Sequence, residues 1–246
     1  VSTKSEWRNR ILQFYEATTH ERVGVMAPLV FYDDFLGAGN VVIPAAASAE
    51  SGMPWAKKIV GAGPPTVAGV ADAANGQIAC ALTADNQKQD GGLYHDDQRG
   101  FSLEQGLVFE ARVRLSVLPT DVAEIVFGLI GDWADGPDAI TYSAFFTADG
   151  SGEIFCEVDD DATNQSAASG VTVLAADWHI FRIEFFDVAD IRFYIDGNHV
   201  ATGTTFVYAA TGANAILQPY FGPYKATGTG VGTILVDYIR CWQMRS

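Results

Sequence analysis

The chain has 246 residues, 48% of them hydrophobic, which is enough for a packed core and fits a single all-β domain. Thirty acidic against 15 basic residues give a formal charge of −15. That balance argues against nucleic acid and anionic membrane surfaces as partners and favours solubility.

Residues 1 to about 22 differ in pattern from the rest of the chain. Thr3-Lys4-Ser5-Glu6 has the spacing of a capping box, and Trp7, Ile11, Phe14 and Tyr15 fall at i, i+4, i+7 and i+8. This spacing predicts a short N-terminal helical arm, spanning residues 1–28, ahead of one domain over residues 29–246. The stripe must be buried, either on the arm's own domain or on a partner. Trp7, Ile11, Phe14 and Tyr15 are therefore the expected partner-contact residues.

From LVFYDDFL onward the chain reads as strands, interrupted by a small-residue loop from Asn40 to Pro54 and an irregular stretch between Gly61 and Gly76. GQIACALTA, GLYHDD, LVFEARVRL, EIVFGLIGDW, ITYSAFFTAD, GEIFCEVDD, VTVLA, LQPYFGPYK and GTILVDYIRCWQM are bounded by Gly, Asp, Asn or Pro punctuation. In DWHIFRIEFFDVADIRFYIDGNHV, Phe181, Ile183 and Phe185 alternate with polar or outward positions, as do Phe193 and Ile195. The two runs predict a hairpin turning at Val188-Ala189-Asp190, followed by a tight turn at Asp196-Gly197-Asn198. Trp178 and the Phe and Ile residues of the pair are expected in the core. About a dozen short strands with no helices between them predict an all-β fold, a two-sheet antiparallel sandwich.

Cys80, Cys156 and Cys241 sit in apolar strand-like runs and are expected to be buried thiols; no spacing suggests a metal or redox centre, and no cofactor is expected. No apolar segment is long enough to span a bilayer, and the N-terminus lacks signal-peptide layout, so no secretory route is expected.

The order GLVFEARVRL, DWHIFRIEF, IRFYIDGNHV and ILVDYIRCW resembles the concanavalin A-like lectin/glucanase superfamily over roughly residues 29 to 245. The resemblance implies a jelly-roll sandwich and leaves function open between enzymes, lectins and inert modules. More narrowly, FYDDFLG, PWAKKIVGAGPPTVAG, ANGQIACALTADNQKQDGGLYHDDQRGF and VDYIRCW resemble uncharacterised structural proteins of tailed phages. That resemblance implies a non-catalytic virion protein on the capsid surface, of the decoration or head-surface type. Its partners would be a major capsid protein or another virion protein, copies of itself, and a host-surface glycan.

Glycosidases of the superfamily carry carboxylates at alternating positions of one strand, which places them on one face. The nearest match is Glu153-Ile154-Phe155-Cys156-Glu157, where the resemblance implies nucleophile and acid/base roles for Glu153 and Glu157. Phe155 replaces the middle acid of that pattern, so the expectation is a strand whose Ile154, Cys156 and Val158 face the core, and no catalytic residues. Asp159, Asp160, Asp161 and Asn164 could offer oxygens to Ca²⁺ but lack a defined ligand spacing, and no metal residues are assigned. His95 beside Asp96 and Asp97 reads as a surface loop. Trp133, Phe221 and Tyr224 lie at strand ends, where a sugar ring could stack, and are the expected glycan-binding residues. A carbohydrate-binding module is thus the alternative to the virion scaffold, with a glycoside hydrolase third.

Overall fold

A computed structural model of the chain describes residues 3–8, 11–26, 29–40, 42–45 and 53–245. Among the described residues nineteen strands occur in order: β1 (Thr3–Arg8), β2 (Ile11–Glu16), β3 (Arg22–Met26), β4 (Leu29–Asp33), β5 (Ala56–Val60), β6 (Thr66–Gly69), β7 (Ile78–Ala81), β8 (Gln89–Tyr94), β9 (Phe101–Ser102) and β10 (Val108–Val117). Then come β11 (Glu124–Ile130), β12 (Tyr142–Ala148), β13 (Glu153–Asp160), β14 (Asn164–Thr172), β15 (His179–Asp187), β16 (Asp190–Ile195), β17 (Asn198–Val200), β18 (Ile216–Lys225) and β19 (Thr233–Gln243). Helical segments among the described residues are short 3-10 turns, so no helix is long and apolar enough to cross a membrane.

Two eight-stranded antiparallel sheets form the sandwich. Sheet I runs β17-β16-β15-β10-β19-β7-β6, with β4 also on β19; sheet II runs β14-β13-β12-β11-β18-β8-β5, with β9 also on β18. Alternation along each strand turns one side chain in two into the space between the sheets. Phe109, Ala111, Val113 and Leu115 of β10 thus meet Ile125, Phe127 and Leu129 of β11 in one continuous core. At its centre Phe127, Phe146 and Phe181 pack with ring centroids 4.7 to 5.5 Å apart, and Phe193 joins Phe146 at 5.1 Å, mostly edge to face.

The expected β15–β16 hairpin forms, and its register sets Phe181 opposite Ile195 and Ile183 opposite Phe193. Both Asp196 (φ 49°) and Gly197 (φ 78°) take positive φ, the geometry of the two-residue turn into β17. Asp196 Oδ1 accepts the Ile180 N–H at 2.8 Å, which ties the turn to the start of β15. Cys80, Cys156 and Cys241 are buried, and burial pushes each thiol pKa up. Trp178 departs from expectation: it lies half-buried outside the core, with Arg112 and Arg114 over its ring at 4.8 and 5.0 Å. It precedes β15, so the strand's alternation does not govern where it points.

The helical arm is the larger correction. Residues of the expected capping box and stripe form β1 and β2, and β2 lies between β1 and β3 in a separate three-stranded sheet. Trp7, Ile11, Phe14 and Tyr15 do not share a face. Ile11 is fully buried against Val108 and Trp242 on the outer surface of sheet I, and Gln13 is buried beside it. Trp7 stands opposite Leu12 in the register and is 71% exposed, so Trp7, Leu12 and Phe14 form the outward face. Tyr15 stacks on His20 at 6.3 Å. A helix this short is marginal alone, whereas strands with a third strand at 22–26 and an apolar patch on sheet I satisfy both backbone and Ile11.

Candidate functional site

The outer face of sheet II collects the polar side chains that its strands turn away from the core. On β13, Ile154, Cys156 and Val158 are buried inside, as expected, which leaves Glu153, Phe155 and Glu157 half-buried on the other face. Across the sheet, Glu124 of β11 stands opposite Tyr224 of β18, which stands opposite Asp90 of β8, so the three share one face in one row. One step along, Gly92 and Gly222 leave room for the Tyr220 ring; a Cβ on Gly92 would lie 2.6 Å from Tyr220 Cε2. Tyr220 reaches over them to donate to Asp90 Oδ1 at 3.3 Å.

The β11–β12 connection, residues 131–141, folds back over this face. Ile140, Trp133 and Ala134 pack with Val126, Ile130, Phe145, Tyr94 and Tyr220 into a second apolar cluster outside the main core. Polar contacts pin the connection at several points. The Trp133 backbone N–H donates to Asp97 Oδ1 at 2.7 Å and its Nε1–H to Asp90 Oδ2 at 3.3 Å. Lys58 Nζ lies 4.1 Å from the Trp133 ring centroid, and Lys88 pairs with Asp135 at 2.5 Å.

Burial under this strap changes the carboxyl chemistry. Asp90 is 1% exposed, and desolvation raises its pKa to about 7 against the opposing pull of the Tyr220 and Trp133 hydrogen bonds. Glu124 is also raised to about 7, first by burial and then by the charges of Asp138, Glu157 and Asp90. Glu157 is raised by burial too, although Asn164 Nδ2 donates to it at 3.4 Å. The result is a patch where carboxyl groups both donate and accept at neutral pH, beside the half-buried rings of Trp133 and Tyr224.

Of the expected glycan-binding residues, Trp133 and Tyr224 are brought together here: Gly136 of the strap sits against the Tyr224 ring, 3.0 Å from its Oη at the position of an added Cβ. Phe221 is a correction. It is fully buried in the main core because it lies one residue off the outward positions Tyr220 and Gly222 on β18. His95 is another, being 8% exposed in a cage of Trp55, Phe31 and Phe101 rather than on a surface loop. In the acidic run, Asp160 is buried and spends its oxygens on the backbone N–H groups of Ala162, Thr163 and Ala209. That is a turn-closing role. No group of three or more His, Cys, Asp or Glu suited to a metal ion occurs among the described residues. Asp90, Glu124 and Lys58 carry no motif that singles them out in the sequence. Glu124 has a weak signal as a polar residue in phase with the outward positions of an apolar strand, while Asp90 has none.

No family model matches the chain, and no curated protein matches it in sequence. Solved structures match it in fold. A protein of unknown function from Shewanella oneidensis MR-1 superposes with a TM-score of 0.59 at 14% identity, over 86% of this chain and 85% of that one. A glycosyl hydrolase family protein from Mycobacterium fortuitum gives 0.54 at 16% identity, over 86% and 98% of the two chains. The carbohydrate recognition domain of Emp47p gives 0.50 at 12% identity, over 82% and 94%. At such identities the likeness is one of fold alone, an antiparallel two-sheet sandwich.

Proposed function

We propose that the protein is a non-catalytic saccharide-binding β-sandwich that holds its ligand on the outer face of sheet II. The observation that carries this reading is the row Glu124–Tyr224–Asp90 with Trp133 hydrogen-bonded to its end. Rings that can stack on the C–H face of a sugar stand beside the half-buried carboxyl groups of Glu124 and Glu157, which can pair with its hydroxyls, while buried Asp90 holds Trp133 in place. A carbohydrate recognition domain among the fold neighbours supports it. Trp133→Ala is expected to weaken binding of oligosaccharides about tenfold or more, as removal of an aromatic anchor does. An array of oligosaccharides probed with wild type and variant checks this. No retained glycan, or retention unchanged by Trp133→Ala and Tyr224→Ala, refutes it.

A second reading, cleavage of a glycosidic bond, is favoured by one observation. Glu124 keeps its proton to about pH 7 on the same face as Glu157, as a general acid beside a second carboxyl requires. On this reading Glu124→Gln removes all turnover of a polysaccharide that the wild type degrades. No turnover by the wild type across a broad polysaccharide panel leaves the binding reading alone. The virion setting, with a capsid protein or further copies of the chain as partners, rests on the sequence resemblance alone.

A further inference from the structure

The opposite face of the sandwich carries a depression of about 270 Å³ where the N-terminal sheet meets the outer surface of sheet I. Tyr32, Asp34, Arg112, Asp237 and Tyr238 line it, and Glu21, from the β2–β3 turn, closes one side. The backbone is shaped for this arrangement. A bulge in β19 lets Val236 and Ile239 both face the core, so the two residues between them, Asp237 and Tyr238, both face outward opposite Arg112. Bulges re-aim side chains in this way beside ligand sites.

The lining is also braced from behind. Arg112 Nη1 donates to Asp237 Oδ2 at 2.5 Å, which sets a donor and an acceptor side by side. Arg240, which does not line the depression, lies over the rings of Tyr32 and Tyr238 at 4.9 and 4.4 Å. It is held in turn by Glu21 at 3.4 Å and Glu110 at 3.8 Å. Tyr32 is nevertheless 49% exposed, a fixed aromatic surface open to solvent.

We propose that this depression is a second saccharide site, taking a single neutral pyranose ring. The ring would lie on Tyr32, with neighbouring hydroxyls shared between the Arg112 guanidinium and the Asp237 carboxylate. The volume is below the range of pockets that hold larger ligands, which limits it to one ring. The carboxylates of Glu21, Asp34 and Asp237 repel acidic sugars. The N-terminal sheet is then part of a binding site, and the protein carries sugar sites on opposite faces of the sandwich, able to bridge two saccharide chains. The inference rests on the saccharide-binding reading of the protein.

The test is titration of the full chain, followed by NMR shifts and calorimetry, with the methyl glycosides of glucose, galactose, mannose and N-acetylglucosamine. At least one is expected to bind and to shift the resonances of residues lining the depression, with loss of tenfold or more in Tyr32→Ala and in Glu21→Ala. Tyr32 is exposed, so its variant keeps the fold. Failure of all four glycosides to bind, or binding that Tyr32→Ala leaves intact, overturns the proposal. Oligosaccharide binding sensitive to Trp133→Ala then still stands or falls separately, because the two sites lie on different sheets.

Discussion

The Lys225→Met variant is expected to melt roughly 10 °C below the wild type. Lys225 ends β18 with its side chain fully buried, and its ammonium donates to the carbonyls of Thr83 at 2.7 Å, Asp85 at 2.8 Å and Gly230 at 3.0 Å. It serves as an internal cation joining the β7–β8 and β18–β19 connections. Gln89 completes the knot by bonding the Gly63 carbonyl and the Thr83 hydroxyl and by accepting the Thr83 N–H. Burial lowers the lysine pKa while Asp85 and Asp121 oppose that effect. Methionine keeps the apolar stem but leaves three carbonyls without a charged donor. At about 1–3 kcal/mol for each buried group left unpaired, the loss is at least about 3 kcal/mol. Thermal unfolding followed by circular dichroism reads it directly. A variant melting within about 2 °C of wild type would show that water takes over the three carbonyls at little cost.

His95 sets the second expected effect, on acid stability. Its ring lies 4.5 Å from Trp55 and 5.2 Å from Phe31, with no hydrogen-bond partner on Nε2, and burial lowers its pKa to about 4. The unfolded chain therefore takes up a proton near pH 6.5 that the folded chain refuses until about pH 4. The histidine's contribution to stability is intact above pH 6.5 and is lost as pH falls through this window. The slope is about 1.4 kcal/mol per pH unit, or about 3 kcal/mol in all. Asp90 and Glu124 act in the opposite sense. Their folded pKa values are raised to about 7, so they add stability as pH falls below neutrality and lose it as pH rises. The wild-type profile mixes the two effects. The difference between His95→Leu and wild type isolates the histidine: close to constant above pH 7, then moving in the variant's favour down to pH 4. Chemical denaturation at a series of pH values measures it. A parallel pair of profiles would mean that the His95 ring turns out to solvent when it is charged.

Much of the sandwich was legible because its signal is local. In β15 and β16 the period of two assigns Phe181, Ile183, Phe185, Phe193 and Ile195 to the core from sequence neighbours alone, and each is buried. The same rule placed Ile154, Cys156 and Val158 inside and turned Glu153 and Glu157 out. Where the rule had two solutions, tertiary contacts chose. Ile11, Phe14 and Tyr15 fit a helical stripe as well as a strand, and pairing with β3 together with the Val108–Trp242 patch made the strand win. Phe221 looked available as an aromatic at a strand end, yet its position in β18 sends it inward.

The candidate site was legible only in part, since its chemistry is made by burial and not by motif. Trp133 and Tyr224 stood out as aromatics at strand ends. Asp90 gained its role when the 131–141 strap closed over it and when Tyr220 crossed two glycines to reach it. Composition, charge and the period of two by themselves determined an acidic, all-β, two-layer protein and which faces of most strands are buried, because side-chain alternation is a property of each strand alone. The tertiary structure decided the fate of the N-terminal segment, the caged histidine, the buried lysine and the carboxyl patch. Each of these depends on groups far apart in sequence excluding water from one another.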